Sequence, residues 1–221
     1  FFIFFFLISY YFAEYIYGFL VKPYSDAVLQ SGLERRLIFT ALHEAFLTYL
    51  KVAFFSSLLI SSPILLTQIW KFIAPGLYKH EKIAILPYLI LTPVLFFLGG
   101  MLVYYLVMPL AIKFFGSYQI SDQIQNIFTI NSYMSTIIST VFYCGLFFLL
   151  PIISYLLTKI GIITPAFLKK YRKHSVVGVL VLSAVITPPD VISQVIVAVP
   201  IVILYEIGIW ASIIVYRKMN Q

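Results

Sequence analysis

The stretch Trp70–Lys82, "WKFIAPGLYKHEK", separates two apolar runs that are each long enough to cross a bilayer as a helix. It carries Lys71, Lys79, His80 and Lys82 around one carboxylate, Glu81, and is bordered by the aromatic residues Trp70, Phe72 and Tyr78. A basic loop with an aromatic border is what the inner headgroup layer of a membrane selects. Outward from this loop, at about 20 mostly apolar residues per crossing, spans are expected near 1–21, 44–70, 84–112, 132–158 and 195–215. A further run, Ser175–Thr187, has 13 residues. It covers roughly 20 Å against a hydrocarbon core of about 30 Å, and "TPPD" then stops it.

Composition leaves lipid as the solvent for these runs. With 62% hydrophobic and 10% charged residues and a mean hydropathy of +1.02, the apolar surface cannot be hidden in one water-soluble core. The net charge of +7 does not signal nucleic acid, because its basic residues are embedded between apolar segments. Ten of the fifteen, from Lys71, Lys79 and Lys82 through Lys159, Lys169, Lys170, Arg172 and Lys173 to Arg217 and Lys218, fall on one side of the predicted spans. That side is read as cytoplasmic, or as the matrix in an organelle. The single Cys144 excludes an intrachain disulfide or a thiolate metal site. The chain opens on Phe1 inside an apolar run and is expected to continue upstream.

The expected fold is an all-α integral membrane protein of six transmembrane helices, kinked and cupped, with short fifth and sixth helices and both termini on the cytoplasmic or matrix side. Residues 1–221 read as a single polytopic membrane domain without internal repeats. Pro63, Pro87, Pro93, Pro151 and Pro200 lie inside predicted spans. Each removes a helix hydrogen bond and bends its helix. The freed carbonyls then need neighbours, hydroxyls such as Ser61 and Ser62, or water.

Ionisable groups inside spans cost roughly 2.5 to 3.5 kcal/mol on insertion scales, so each needs a reason. Glu206, in "LYEIG", falls about half-way along the last span, facing a cavity or partner or satisfied by a neighbouring helix. Glu44 opens the second span, where a carboxylate suits the helix N-terminal dipole, and Lys51 shares its face as a possible ion-pair partner. Gln68 is a third polar point, near the basic loop. Glu81 is either in a loop ion pair with Lys79 or Lys82 or kept for an incoming cation, guanidinium fitting best because its planar fork pairs bidentately. "HEAFL" at His43–Leu47 has Leu47 where a zinc-protease helix needs its second His, and no metal or cofactor site is expected. The absence of a phosphate-cradling loop and of a nucleophile elbow argues against an enzyme.

Three segments carry a family likeness: "TALHEAFLTYLKVAF" at 40–54, "QIWKFIAPGLYKHEK" at 68–82, and "AVITPPDVISQ" with "AVPIVILYEIG" within 184–208. Together they resemble TatC, the receptor and core subunit of the twin-arginine protein translocase. The resemblance implies recognition of twin-arginine signal peptides on the cytoplasmic or matrix side and export of folded proteins by the proton-motive force. It also implies recruitment of TatA- and TatB-like single-span subunits and contact with other TatC copies. By position, Glu81 matches the carboxylate that receives the arginine pair, with Phe72, Pro75, Tyr78 and Lys79 shaping the loop. Thr187 and Gln194 match polar contacts for the small subunits, and Glu206 matches a position where the family also carries Glu. Pro23 and the loop up to Glu44 match the outer cap. Two departures stand out. The "HLxELR" segment expected before the first helix is missing, and Leu149 occupies the place of a Glu or Gln before the fourth helix's proline. The expected location is a mitochondrial inner membrane or a bacterial inner membrane. The alternatives are a proton-coupled small-solute transporter, on the strength of Glu206 and Glu44, and a passive membrane assembly scaffold.

Overall fold

The computed structural model describes residues 2–31, 37–73, 79–117, 128–187 and 191–219, with the side chains at 30, 31, 66, 69–73 and 79–89 outside the description. These residues form α1 (Phe2–Tyr11), α2 (Ala13–Ser31), α3 (Glu44–Ile73), α4 (Lys79–Leu102), a π turn (Val103–Val107), α5 (Met108–Ser117), α6 (Ile130–Phe147), α7 (Leu150–Lys159), α8 (Pro165–Lys170), α9 (Arg172–Ile186) and α10 (Val191–Met219). Among the described residues the extended structure is one isolated bridge, Ile38 with Thr129. Four helical runs are long and apolar enough to cross a membrane: Glu44–Leu65, Ile90–Ser117, Ile130–Lys159 and Val191–Met219. The α1–α2 pair makes a fifth if counted as one span.

The expected first span is corrected in shape. Instead of one rod near 1–21, the chain breaks at Phe12 and turns by 74°. The break places Glu14 in the first turn of α2, where a carboxylate faces the positive end of the helix dipole instead of sitting mid-helix in hydrocarbon. The fifth transmembrane helix is short as expected: α9 has 15 residues, or roughly 22 Å at the helical rise. The last helix, expected to be short as well, is not. α10 continues for 29 residues, and neither Pro200 nor Gly208 interrupts it before Arg217 and Lys218.

Contacts divide the chain into two compact units, one of Phe1–Ser62 with Met101–Phe142 and one of Pro63–Gly100 with Tyr143–Gln221. In the first unit, α2 packs on α1 and α5, and the prolines dictate its polar contacts. Pro23 has no N–H for the Phe19 carbonyl one turn back. The Tyr104 hydroxyl donates to that carbonyl at 2.7 Å. The Tyr133 hydroxyl donates to the next one, Leu20 O, at 2.8 Å and takes the Tyr24 amide, so it is inserted into the helix ladder. At Pro63 the carbonyl left without its donor is Leu59 O, and Ser62 Oγ donates to it at 2.6 Å, as expected of a hydroxyl in lipid. The π turn lies just before Pro109, with Met108 N bonded to Val103 O. A wide turn there relieves the clash between the proline ring and the preceding carbonyls.

In the second unit, α10 packs on α7, α8 and α9. Pro151 breaks the fourth span as predicted: α6 ends at Phe147, α7 starts at Leu150, and Leu149 is buried in the joint. α7 ends in a paired turn, Ile162 N to Leu157 O and Gly161 N to Thr158 O. Gly161 at φ +80° supplies the left-handed residue that this turn requires. Thr164 then caps α8, accepting from Phe167 N at 3.3 Å with Pro165 in the first turn. Against α7, α10 presents Gly208 and Ser212. A Cβ on Gly208 would come within 2.9 Å of Ser154 Oγ, and Ser212 Oγ meets Thr158 Oγ1 at 2.6 Å. Small residues four apart on both helices allow this approach.

Tyr104→Phe is expected to lower stability in detergent by about 1 kcal/mol, the scale of an interhelical hydrogen bond in a membrane protein. The loss should shrink in a Pro23→Ala background, where Phe19 O regains a backbone donor; an equal loss in both backgrounds, measured by reversible unfolding, would contradict the repair. Gly208→Val should cost roughly 1 to 3 kcal/mol by overpacking against Ser154, seen as a lowered melting midpoint.

Candidate binding site

The residues expected to form a signal-binding site surround the connection between α3 and α4. Glu81 is the third residue of α4, and its first turn is Lys79, His80, Glu81 and Lys82. Phe72 lies in the last turn of α3. The side chains of Phe72, Lys79 and Glu81, and Pro75 and Tyr78 altogether, lie outside the described residues. The backbone places Glu81 third in α4 as described, and the sequence sets it among Lys71, Lys79 and Lys82. Gln68, in the same α3 end, is exposed.

Glu44 has a structural task. Buried at 5% exposure, its Oε2 accepts from Thr40 N at 2.5 Å, Thr40 Oγ1 at 2.9 Å and Ala41 N at 3.2 Å. Its Oε1 accepts from Asn131 N at 3.2 Å. The start of α6 is thereby completed: Ile130 N bonds Ile38 O, Asn131 N bonds Glu44, and Ser132 N bonds Thr129 Oγ1 at 3.3 Å. The N–H groups of the first three helical residues, which the helix itself leaves without partners, are thus all bonded. Lys51 does not pair with Glu44. It donates to Asn131 Oδ1 at 2.6 Å and Ser135 Oγ at 3.2 Å, because Glu44 bends back toward the preceding turn while Lys51 lies two turns further along.

Glu206 is satisfied by a neighbouring helix. Arg172 Nη2 at the start of α9 donates to its Oε2 at 2.6 Å, while the adjacent Tyr205 hydroxyl donates to Leu168 O of α8 at 2.8 Å. Thr187 is buried and donates to Ser183 O of its own helix at 2.7 Å. Gln194 Nε2 reaches from α10 to Leu180 O of α9 at 2.9 Å. These two residues therefore belong to one α9–α10 pair but hold different groups. Sequence spacing gave no sign of the Arg172–Glu206 pair, 34 positions apart, or of Asn131 as the hub between Glu44 and Lys51. No group of three metal-ligating side chains exists among the described residues.

Apolar spans of bilayer length, proline joints repaired by hydroxyls, and polar side chains tied to helix ends define a multi-pass α-helical membrane protein. The chain belongs to the Sec-independent protein translocase protein (TatC) family, whose family model matches residues 1–200. It is 45% identical over 216 residues to the TatC protein of Magnetococcus marinus, covering 98% of this chain and 78% of that protein. It is 40% identical over 207 residues to that of Rickettsia prowazekii, covering 92% and 82%. A crystal structure described as the twin arginine translocase receptor TatC superposes with a TM-score of 0.82 at 35% identity, covering 97% of this chain and 92% of the other. The chain is thus a non-enzymatic, multi-pass membrane component of the Sec-independent translocase.

Glu44→Ala should unpin the start of α6 and lower the melting temperature by several degrees, whereas Glu44→Gln, which keeps an acceptor oxygen, should lose less. Equal melting of both variants and wild type would show the four hydrogen bonds to be without weight.

Proposed function

We propose that this chain is the signal-peptide receptor and core subunit of a twin-arginine translocase. Glu81 accepts the arginine pair of the signal from the cytoplasmic or matrix side, with Phe72, Pro75, Tyr78 and Lys79 shaping the loop. The feature that carries this reading is a lone carboxylate, Glu81, set in the sequence among Lys71, Lys79 and Lys82 next to a membrane-length apolar run. Its surroundings repel stray cations, so that a guest needs two guanidinium groups in a fixed order to do better than the local lysines. The excess of Lys and Arg on the same side supports placing this loop, and both ends of the chain, toward the cytoplasm or matrix.

Recruitment of TatA- and TatB-like single-span subunits is assigned to α9 and α10, near Thr187 and Gln194. Support comes from the apolar surface these helices expose, including Val181, Val185, Val191, Val195 and Val199. The cargo crosses folded, driven by the proton-motive force. A proton-coupled solute transporter draws on Glu44 and Glu206, and both carboxylates are already engaged by protein donors.

A photoreactive peptide bearing adjacent arginines is expected to crosslink next to Glu81 when the full chain is in inverted membrane vesicles. Glu81→Ala and Glu81→Lys should reduce crosslinking by roughly tenfold or more, a loss of about 1.4 kcal/mol or greater, with membrane insertion unchanged. Glu81→Asp should retain part of it. Normal crosslinking in Glu81→Lys would overturn the assignment.

A further inference from the structure

A second polar site lies in the first unit, between α2 and α5, and has no part in signal recognition as proposed above. It is a cleft of about 390 Å³ whose walls include Phe19, Lys22, Asp26, Tyr104, Tyr105 and Lys113. Its aromatic part is fixed: the Phe19 and Tyr104 rings stack at 4.4 Å with an interplanar angle of 3°, and Tyr104 is anchored to Phe19 O. Phe19 and Tyr105 remain 53% and 68% exposed, so this part of the cleft is open to lipid. The charged part lies toward the end of the span Ile90–Ser117, with Lys113 four residues from its terminus. By run length, such a position falls toward the membrane–water interface. Lys22, Asp26 and Lys113 are all exposed, and among the described residues their charged ends make no ion pair or hydrogen bond.

Two ammonium groups and one carboxylate converge on a cleft with an aromatic wall, in segments that the charge bias of the sequence reads as the outer side. Lysines there run against the charge bias of the rest of the chain and are balanced by the single Asp26. A phosphodiester satisfies both lysines at once, an ammonium on the same headgroup satisfies Asp26, and an acyl chain covers Phe19 and Tyr105. Lysine ammonium groups pair with phosphate oxygens by charge-assisted hydrogen bonds. The volume suits one headgroup and the start of its chains; a packed helix, about 10 Å across, does not fit. We propose that this cleft is a binding site for an aminophospholipid, with its phosphate between Lys22 and Lys113 and its amine at Asp26. The bound lipid bridges α2, just where Pro23 weakens it, to α5.

The test is native mass spectrometry of the full chain released from detergent, titrated with phosphatidylethanolamine, phosphatidylcholine and phosphatidylglycerol. Phosphatidylethanolamine adducts should form most strongly, and Lys22→Gln with Lys113→Gln should weaken them by about tenfold, while the paired Lys→Arg variant retains them. Asp26→Asn should bring phosphatidylethanolamine down to the level of phosphatidylcholine without changing the latter. Melting temperatures read alongside verify that each variant is folded; should the double Gln variant fail to fold, Lys113→Gln alone carries the comparison. Unchanged adducts in the folded Gln variant would overturn the site. Displacement of the lipid by millimolar inorganic phosphate would make it a small-anion site, and an intact ethanolamine preference in Asp26→Asn would remove the amine contact; either result refutes the proposal as stated.

Discussion

In hydrocarbon, a backbone carbonyl without a donor has no water to fall back on. Much of the internal chemistry of this chain follows from that constraint, because its spans are interrupted by prolines. At Pro63 the repair is local, with the hydroxyl of the preceding Ser62 turned back to Leu59 O. At Pro23 it is tertiary, with tyrosines from two other segments donating to Phe19 O and Leu20 O. A local repair leaves the helix free of its neighbours. A tertiary one makes the proline site itself part of the packing, so Tyr104 and Tyr133 tie α2 to their own segments.

The same constraint sorts the polar side chains. Glu44 completes the N-terminus of α6, Lys51 follows it on Asn131, and Glu206 is held by Arg172. Each has a donor or acceptor supplied by the protein, which is how an ionisable group in a membrane span avoids its insertion cost. Carboxylates committed to helix ends are poorly placed to carry protons or solutes. Glu81 differs in its place in the sequence, among lysines between two apolar runs. In the reading proposed above, function resides in the connection between α3 and α4 that the sequence places between two apolar runs.

Apolar run lengths and charge bias were enough to read the membrane class, the short α9 and the joint at Pro151, because these depend on local composition. The use of Ser62 as a hydroxyl donor was readable for the same reason: donor and proline are adjacent. The 74° turn at Phe12 was not, since no proline or glycine marks it. The partners of Glu44, Lys51 and Glu206 were equally hidden. Asn131 is 87 residues from Glu44 and Arg172 is 34 from Glu206, and periodicity carries no information about pairings across such distances. The residues proposed for the signal site were found by their chemistry and by family likeness, and the backbone adds only where Glu81 sits in α4.

The pairing of α9 with α10 fixes where the bilayer must adjust. Gln194 is opposite Leu180 and Glu206 is opposite Arg172, so the two helices are antiparallel and α9 reaches only as far as Glu206. Beyond that point α10 continues to Met219, flanked by α7 through Ser212 and Thr158. From Glu206 to Arg217 is 11 residues, or roughly 16 Å of helix. Lys169, Lys170, Arg172 and Lys173 therefore lie about that far inside the level of Arg217 and Lys218. Lysine and arginine stems can snorkel over part of this distance, and thinning of the bilayer or tilt of the helices accommodates the remainder. The deficit of the short helix thus falls on the basic side. Glu206, half-way along its own helix, thus meets the start of α9, where Arg172 supplies the counter-charge that its place in an apolar span requires.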